Sequence, residues 1–315
     1  MPLEDVYRQL FNPDLYLMAY GRIYRNDEAM TQGMTEESVD GMSMEKIERI
    51  IEALRFQRYR WTPVRRVNIP KKNGKTRPLG IPTWSDKLLQ EVCRLILEAY
   101  YEPQFSDRSH GFRPDRGCHT ALIAIRRHWT GAKWFIEGDI KGCFDNIDHH
   151  ILLSIIAEKI HDNRFVRLLG GLLKAGYCEQ WKYTPTLSGT PQGGIISPLL
   201  ANIYLDKLDQ FIVEKLIPDY KKNAILEDQP LKPISFRPGP DLIARFLAEE
   251  CEICGSEKQV EVHHIRKLKD LSVKGRKEKP LWVRYMAARQ RKTLVLCASC
   301  HDDLHAGRPL NRQRK

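Results

Sequence analysis

Long apolar runs are missing from this chain. No stretch of about 18 uncharged apolar residues occurs in its 315 positions, so the sequence offers no membrane-spanning helix and no membrane partner is expected. A secretory leader is missing too, because the opening MPLEDVYRQL has neither a basic n-region nor an apolar core. The expectation is a cytoplasmic protein. No segment recurs at a fixed period, which excludes solenoids and propellers. Acidic residues are the minority, 40 Asp+Glu against 51 Lys+Arg, for a formal charge of +11. A hydrophobic fraction of 42% with 29% charged residues excludes a disordered polymer, and the length has room for two domains.

The positive charge is unevenly placed. Residues 221–315 hold 21 Lys+Arg against 12 Asp+Glu, which leaves 30 against 28 in residues 1–220. An excess concentrated in this way suits a phosphate backbone, where each neutralised phosphate releases a counterion. A solvated tail accounts for Asn311 to Lys315 but less well for the basic residues spread between cysteine pairs.

The cysteines divide along the same line. Cys93, Cys118, Cys143 and Cys178 are scattered singly, read as small buried hydrophobes and given no function. Cys251-x-x-Cys254 and Cys297-x-x-Cys300 are paired, the spacing of a closed tetrahedral structural zinc site; a redox dithiol is the alternative. Between and after them stand His263-His264 and His301-x-x-x-His305. Histidines four apart face one side of a helix and can share a metal, or they can merely complete a zinc knuckle.

Periodicity organises the rest. A helix-rich opening runs to about Phe56, and RRVNIPKKNGKTRPLGIP, Arg65 to Pro82, reads as a basic hairpin turning at Asn73-Gly74. Leu88, Leu89, Val92, Leu95, Ile96 and Ala99 then recur at helical spacing. Residues 134–147 read as a strand entering a turn, Ile151 to Ile160 as a helix, and Leu187 to Leu208 as a Gly/Pro-rich loop followed by an apolar helix. Five prolines between Pro218 and Pro240 mark a linker or a seam.

Four motifs follow one another: KKNGKTRPLGIP, SHGFRPDRGCHTAL, GDIKGCFDNIDH and SGTPQGGIISPLLANIYLDKLD. In this order they resemble the reverse transcriptases encoded by group II introns, which double as maturases for their intron RNA, over roughly residues 20–210. The resemblance implies that Asp139 is the first metal-binding aspartate of the palm, where two Mg2+ ions would clamp the attacking and leaving oxygens of nucleotidyl transfer. It implies that Phe144 excludes a ribose 2′-OH and that Lys71 and Arg77 hold the incoming triphosphate. It places Gln192 along the nucleotide, and Arg113 towards template or nucleotide. The family's second carboxylate pair, in a Tyr-Ala-Asp-Asp hairpin, does not occur here. The sole Asp-Asp, Asp302-Asp303, lies in the histidine motif. From Leu205 to Glu250 too few residues remain for further palm strands, a primer grip and a thumb. The sequence thus resembles a member with an internal deletion whose junction falls near Tyr220 to Ile225, and little or no polymerase activity is expected.

VEVHHIRKLKD and RKTLVLCASCHDDLHAGRP resemble the HNH endonucleases, and more narrowly the DNA endonuclease module of group II intron proteins, over about residues 242–309. That resemblance implies a ββα fold whose divalent metal, Mg2+ or similar, is held by His263, His301 and His305, with His264 as general base. Thr293 stands where many relatives carry asparagine. Eleven Lys and Arg from Arg266 to Lys292 would contact DNA backbone with little sequence preference.

The expected fold class is α+β, a partial right-hand fingers and palm followed by a small zinc-containing ββα-metal domain. The expected boundaries are 1–220 for the polymerase part, 221–241 for the linker and 242–310 for the endonuclease. The implied partners are group II intron RNA and target DNA, in a bacterial-type, nucleoid-associated setting. The rival readings are a nuclease with a passive N-terminal part, a non-catalytic RNA-binding splicing factor, and an inactive mobile-element remnant.

Overall fold

The computed structural model describes residues 2–70, 74, 76–129, 137–190, 193–216, 242–265, 267–271 and 280–310. In chain order the first elements are α1 (Val6–Gln9), α2 (Pro13–Ile23), α3 (Met44–Arg55), β1 (Val64–Pro70), β2 (Thr76–Ile81) and α4 (Trp84–Tyr101). There follow α5 (Cys118–His128), α6 (His149–Ala157), α7 (Asn163–Lys174), β3 (Tyr177–Glu179), β4 (Lys182–Thr184) and α8 (Ser197–Phe211). The last are α9 (Leu242–Leu247), β5 (Val260–His264), α10 (Leu281–Ala288), β6 (Thr293–Cys297) and α11 (Ala298–His305). Among the described residues no helix is long and apolar enough to cross a membrane.

The chain packs as two compact units that do not follow chain order. One gathers residues 1–10, 60–82 and 90–233; the other gathers 11–59, 83–89 and 234–315.

In the first unit a four-stranded sheet has the order β2-β1-β3-β4. The basic hairpin forms as read, with Arg65 opposite Ile81 and Pro70 opposite Thr76; of its turn only Gly74 is among the described residues. β1 meets β3 in parallel at Val64–Tyr177, and β3 turns back antiparallel into β4. In the same unit α6 packs against both α7 and α8. α7 is built by a cap and a stripe: Asp162 accepts the Arg164 amide, while Phe165, Leu168, Leu169, Leu172 and Leu173 are buried at helical spacing. Asp162 also accepts the Tyr7 amide at 2.9 Å, fixing the N-terminal turn to the same helix.

Several expectations need correction. The helix read at Ile151 to Ile160 spans His149–Ala157, because Asp148 caps it and Ile160 leaves it to bridge to Leu3. Of the strand read at 134–147, residues 134–136 lie outside the described residues. Residues 137–140 carry no regular structure, and Cys143–Asp145 form a 3₁₀ turn. Cys93 is buried, with burial pushing its thiol up to about 12, but Cys118 is exposed, so the single cysteines are not uniformly interior. The linker lies outside the described residues.

In the second unit α2, α3 and α9 pack beside a β5–β6 hairpin that runs into α11. α3 starts at the Ser43 cap and buries Ile47, Ile50, Ile51 and Leu54, one face at i, i+3, i+4 and i+7. Tyr20 and Trp84 are fully buried in an aromatic cluster with Phe246, and Trp84 donates to the Met42 sulfur. The ββα arrangement of β5, β6 and α11 is the expected nuclease topology, with a core of Ile253, Leu271, Val283, Met286, Leu294, Leu296 and Leu304.

Candidate metal centre

Among the described residues, two clusters of metal-ligating side chains lie on and beside the β5–β6–α11 motif. In the first, Cys251, Cys254, Cys297 and Cys300 converge within 4.8 Å of one another. The Cys254 and Cys297 sulfurs are 3.7 Å apart, far beyond a disulfide and close to the ~3.8 Å edge of a tetrahedron with Zn–S bonds of ~2.3 Å. Burial opposes the thiolates of Cys251, Cys254 and Cys300. Backbone N–H bonds nevertheless lower Cys251, whereas burial and the neighbouring Cys254 thiol hold Cys300 well above the usual range. Four crowded thiols of this kind fit a dication that neutralises them, and the donor set suits zinc.

The second cluster joins His263, His301 and His305 with Asp40. Strand β5 presents His263, and α11 presents His301 and His305 one turn apart. The Nε2 atoms of His301 and His305 lie 3.1 Å apart, and both ring nitrogens of His263 are buried without a hydrogen-bond partner. Its Nδ1 lies 3.3 Å from Asp40 Oδ1, off hydrogen-bond alignment. Imidazole nitrogens crowded with a carboxylate, His263 and His301 being buried and His305 open to solvent, form a donor set that fits a divalent metal. Glu261 accepts from His301 Nδ1 at 2.7 Å, the outer nitrogen, and so orients the ring. Burial disfavours charge on His301, but hydrogen bonds to Asp40 and Glu261 outweigh it and raise the ring to about 9. Burial likewise works against the Asp40 carboxylate, yet the His263 and His301 imidazoles hold it far below the ordinary range.

His264 points elsewhere. Its Nε2 is 2.8 Å from the Tyr20 hydroxyl, and its backbone N–H donates to Asp40 Oδ1 at 2.9 Å. Burial pushes its ring down to about 3, so it is neutral. A pocket of about 360 Å³ borders His264 and Thr293, with Arg25, Arg245, Arg291 and Lys292 in its wall. Thr293 pairs with His264 across the hairpin and accepts from Arg245 at 3.0 Å. Of the eleven basic residues between the site's halves, Arg266, Lys274, Arg276, Lys277 and Lys279 lie outside the described residues.

The polymerase motifs meet less completely. Lys71 and Gln192 lie outside the described residues, and Arg77 is exposed on β2. Asp139 is exposed and belongs to neither cluster. Phe144 packs edge-on to Phe112, and its carbonyl accepts the Thr190 amide at 2.8 Å. With Gly189 N–H donating to Ile147 and His149 Nε2 bonded to the Gly189 carbonyl, the loop before Gln192 is fastened to the Asp139 motif. Arg113, placed by the resemblance towards template or nucleotide, is buried. It donates to the Glu102 carboxylate at 3.0 Å and to the Ser106 and Ser109 carbonyls at 2.6 and 2.9 Å, which leaves little of its fork for a template or nucleotide.

Sequence reasoning missed Asp40, Tyr20 and Glu261. Glu261 was findable, since residues i and i+2 of a strand share a face and His263 is its neighbour there. Asp40-Gly41 reads locally only as a turn.

Two family profiles match this chain. "Reverse transcriptase (RNA-dependent DNA polymerase)" covers residues 69–226, and "AI2M/AI1M-like, HNH endonuclease" covers 251–301. Among curated proteins it is similar to the group II intron-encoded protein LtrA of Lactococcus lactis subsp. cremoris. The identity is 46% over 300 residues, covering 89% of this chain and 50% of that protein. An uncharacterized 91 kDa protein in the cob intron of Schizosaccharomyces pombe is 48% identical over 203 residues, covering 64% and 25%. Nuclear intron maturase 1, mitochondrial, of Arabidopsis thaliana is 25% identical over 188 residues, covering 43% and 26%. A solved partial Cas6-RT-Cas1–Cas2 complex aligns with TM-score 0.44 and 20% identity, over 66% of this chain and 35% of that one. The chain spans about half the length of the LtrA proteins that it matches.

Proposed function

Because this chain belongs to the reverse transcriptase family and carries an HNH module of the group II intron type, we propose that it acts as a metal-dependent DNA endonuclease in intron mobility. The observation that carries the reading is the convergence of His263, His301 and His305 beside a four-cysteine cluster on one ββα motif. The four cysteines hold structural zinc. A divalent ion at the histidines would supply charge to stabilise the phosphodiester in its transition state. His264 takes the proton of the attacking water once DNA has drawn it from Tyr20, and Glu261 keeps His301 in its ligating tautomer. Basic residues flanking the site hold the backbone. The functional division follows the chain: 1–220 of polymerase origin, 221–241 a junction, 242–310 the nuclease.

On this reading template-directed synthesis is lost. Asp139 keeps the position of a palm metal ligand, and Lys71, Arg77, Phe144 and Gln192 those of nucleotide contacts, but a second carboxylate pair is absent from the sequence. Two metals need several carboxylates. The cellular setting is the bacterial nucleoid, with group II intron RNA as partner and DNA as target. Nicking of duplex DNA by the purified protein, compared with His264→Ala, tests the proposal. Nicking lost with zinc retained is the expected result; equal nicking by the variant removes His264 from the mechanism.

A second reading, binding of intron RNA without catalysis, is favoured by the basic β1–β2 hairpin and its exposed Arg77. Filter binding of a group II intron RNA separates it from a nuclease indifferent to RNA.

A further inference from the structure

We propose that Asp40 is a fourth protein ligand of the metal held by His263, His301 and His305, so that a residue far outside the nuclease module closes the centre. This rests on the metal-dependent reading above. Asp40 Oδ1 is 3.1 Å from His301 Nε2 and 3.3 Å from His263 Nδ1, and Oδ2 is 2.9 Å from His305 Nε2. A tetrahedron with metal–ligand bonds of 2.0–2.1 Å has edges of about 3.3 Å, so the carboxylate sits at a corner of the same polyhedron as the imidazoles.

An outer-sphere role does not fit. A carboxylate that only supports a ligating histidine bonds to the nitrogen turned away from the metal, and on His301 that nitrogen is Nδ1, taken by Glu261. Asp40 meets the other nitrogen, Nε2, the one shared with His305. Its placement is rigid. Gly41 N–H donates to the Val262 carbonyl and Val262 N–H to the Met42 carbonyl, both at 3.0 Å, so the loop is tied to β5 by a single antiparallel bridge. Its Oδ1 also receives the His264 backbone amide.

The consequence is chemical. Three histidines leave a tetrahedral ion one position for water or phosphate, as hydrolytic sites require; three histidines and an aspartate leave none. With a four-coordinate ion, cleavage then waits for Asp40 to leave.

The test is a cobalt(II) titration of the full chain with its cysteine site preloaded with zinc, read by visible absorption, in which four-coordinate cobalt is intense and six-coordinate cobalt weak. Wild type is expected to bind one further ion with the intense spectrum. Asp40→Ala, and Asp40→Asn as the variant that keeps the loop's shape, are expected to weaken binding roughly 10–100-fold and to dim the spectrum. His301→Ala is expected to abolish uptake. Unchanged affinity and spectrum in both Asp40 variants, with His301→Ala still losing the ion, overturns the role of Asp40 and spares the nuclease reading. No further ion in wild type overturns both. At saturating zinc, Asp40→Ala should nick supercoiled DNA faster than wild type; a wild-type rate equal to the variant's or above it overturns the closure.

Discussion

Gly193 makes a close approach to strand β2. Its φ is +103°, and a Cβ built there would stand 2.4 Å from the Gly80 carbonyl oxygen and 2.8 Å from a Leu79 methyl. Alanine at this position incurs two separate costs. Holding an L-residue in a left-handed conformation costs about 1–2 kcal/mol, and moving packed backbone aside costs about 1–3 kcal/mol more. Gly74, at the hairpin tip, offers the control: its φ is +77°, but nothing lies within 4 Å of its built Cβ. Gly74→Ala should therefore cost about 1–2 kcal/mol and Gly193→Ala about 2–5 kcal/mol. Urea unfolding of both variants measures the difference. Hydrogen exchange at the β1–β2 amides locates it, because Gly80 pairs with Arg66 in that ladder. If Gly193→Ala came within about 0.5 kcal/mol of Gly74→Ala, the close approach of the loop to β2 would be wrong.

Asp162→Ala removes the α7 cap and the acceptor for the Tyr7 amide, and should destabilise by about 2 kcal/mol near neutral pH. Folding lowers the Asp162 pKa, through amide and Arg164 hydrogen bonds that outweigh burial, so this stability is present above an unfolded pKa of about 3.9 and fades as pH falls through the lower folded value. A penalty that persists undiminished at pH 2 would contradict that account. Arg113→Ala should cost about 3 kcal/mol in thermal or urea unfolding, since it strands the Glu102 carboxylate and two carbonyls; a loss under about 0.5 kcal/mol would mark it as a surface charge after all. Helix α5 buries none of its residues and exposes Leu122, Ile123 and Ile125, with Trp129 just beyond its end. Leu122→Lys should therefore reduce self-association in light scattering, and equal scattering would show that this face drives none.

What was legible in the sequence was local. A CxxC pair fixes two sulfurs by a tight turn, and HxxxH places two imidazoles one helical turn apart, so both half-sites could be read from spacing. The hairpin of β1 and β2 was legible from Asn73-Gly74 between β-compatible runs. Asp40 was not, because nothing periodic links it to histidines more than two hundred positions away; only tertiary packing brings them together. Nor was the burial of Arg113, since nothing local to an arginine in a Gly/Pro-flanked loop indicates the carbonyls that surround it. Packing also groups residues 11–59 and 83–89 with 234–315, an association that charge and cysteine patterns along the chain could not reveal.

The union of the chain's early and late segments has a consequence in time. His264 lies 224 positions after Asp40. At translation rates of about 5–20 residues per second, Asp40 leaves the ribosome roughly 10–55 s before the histidines that it meets. Through that interval the acidic loop and Tyr20 exist without their partners, while the histidines are never made without theirs. The order of synthesis delivers the stopper before the vessel.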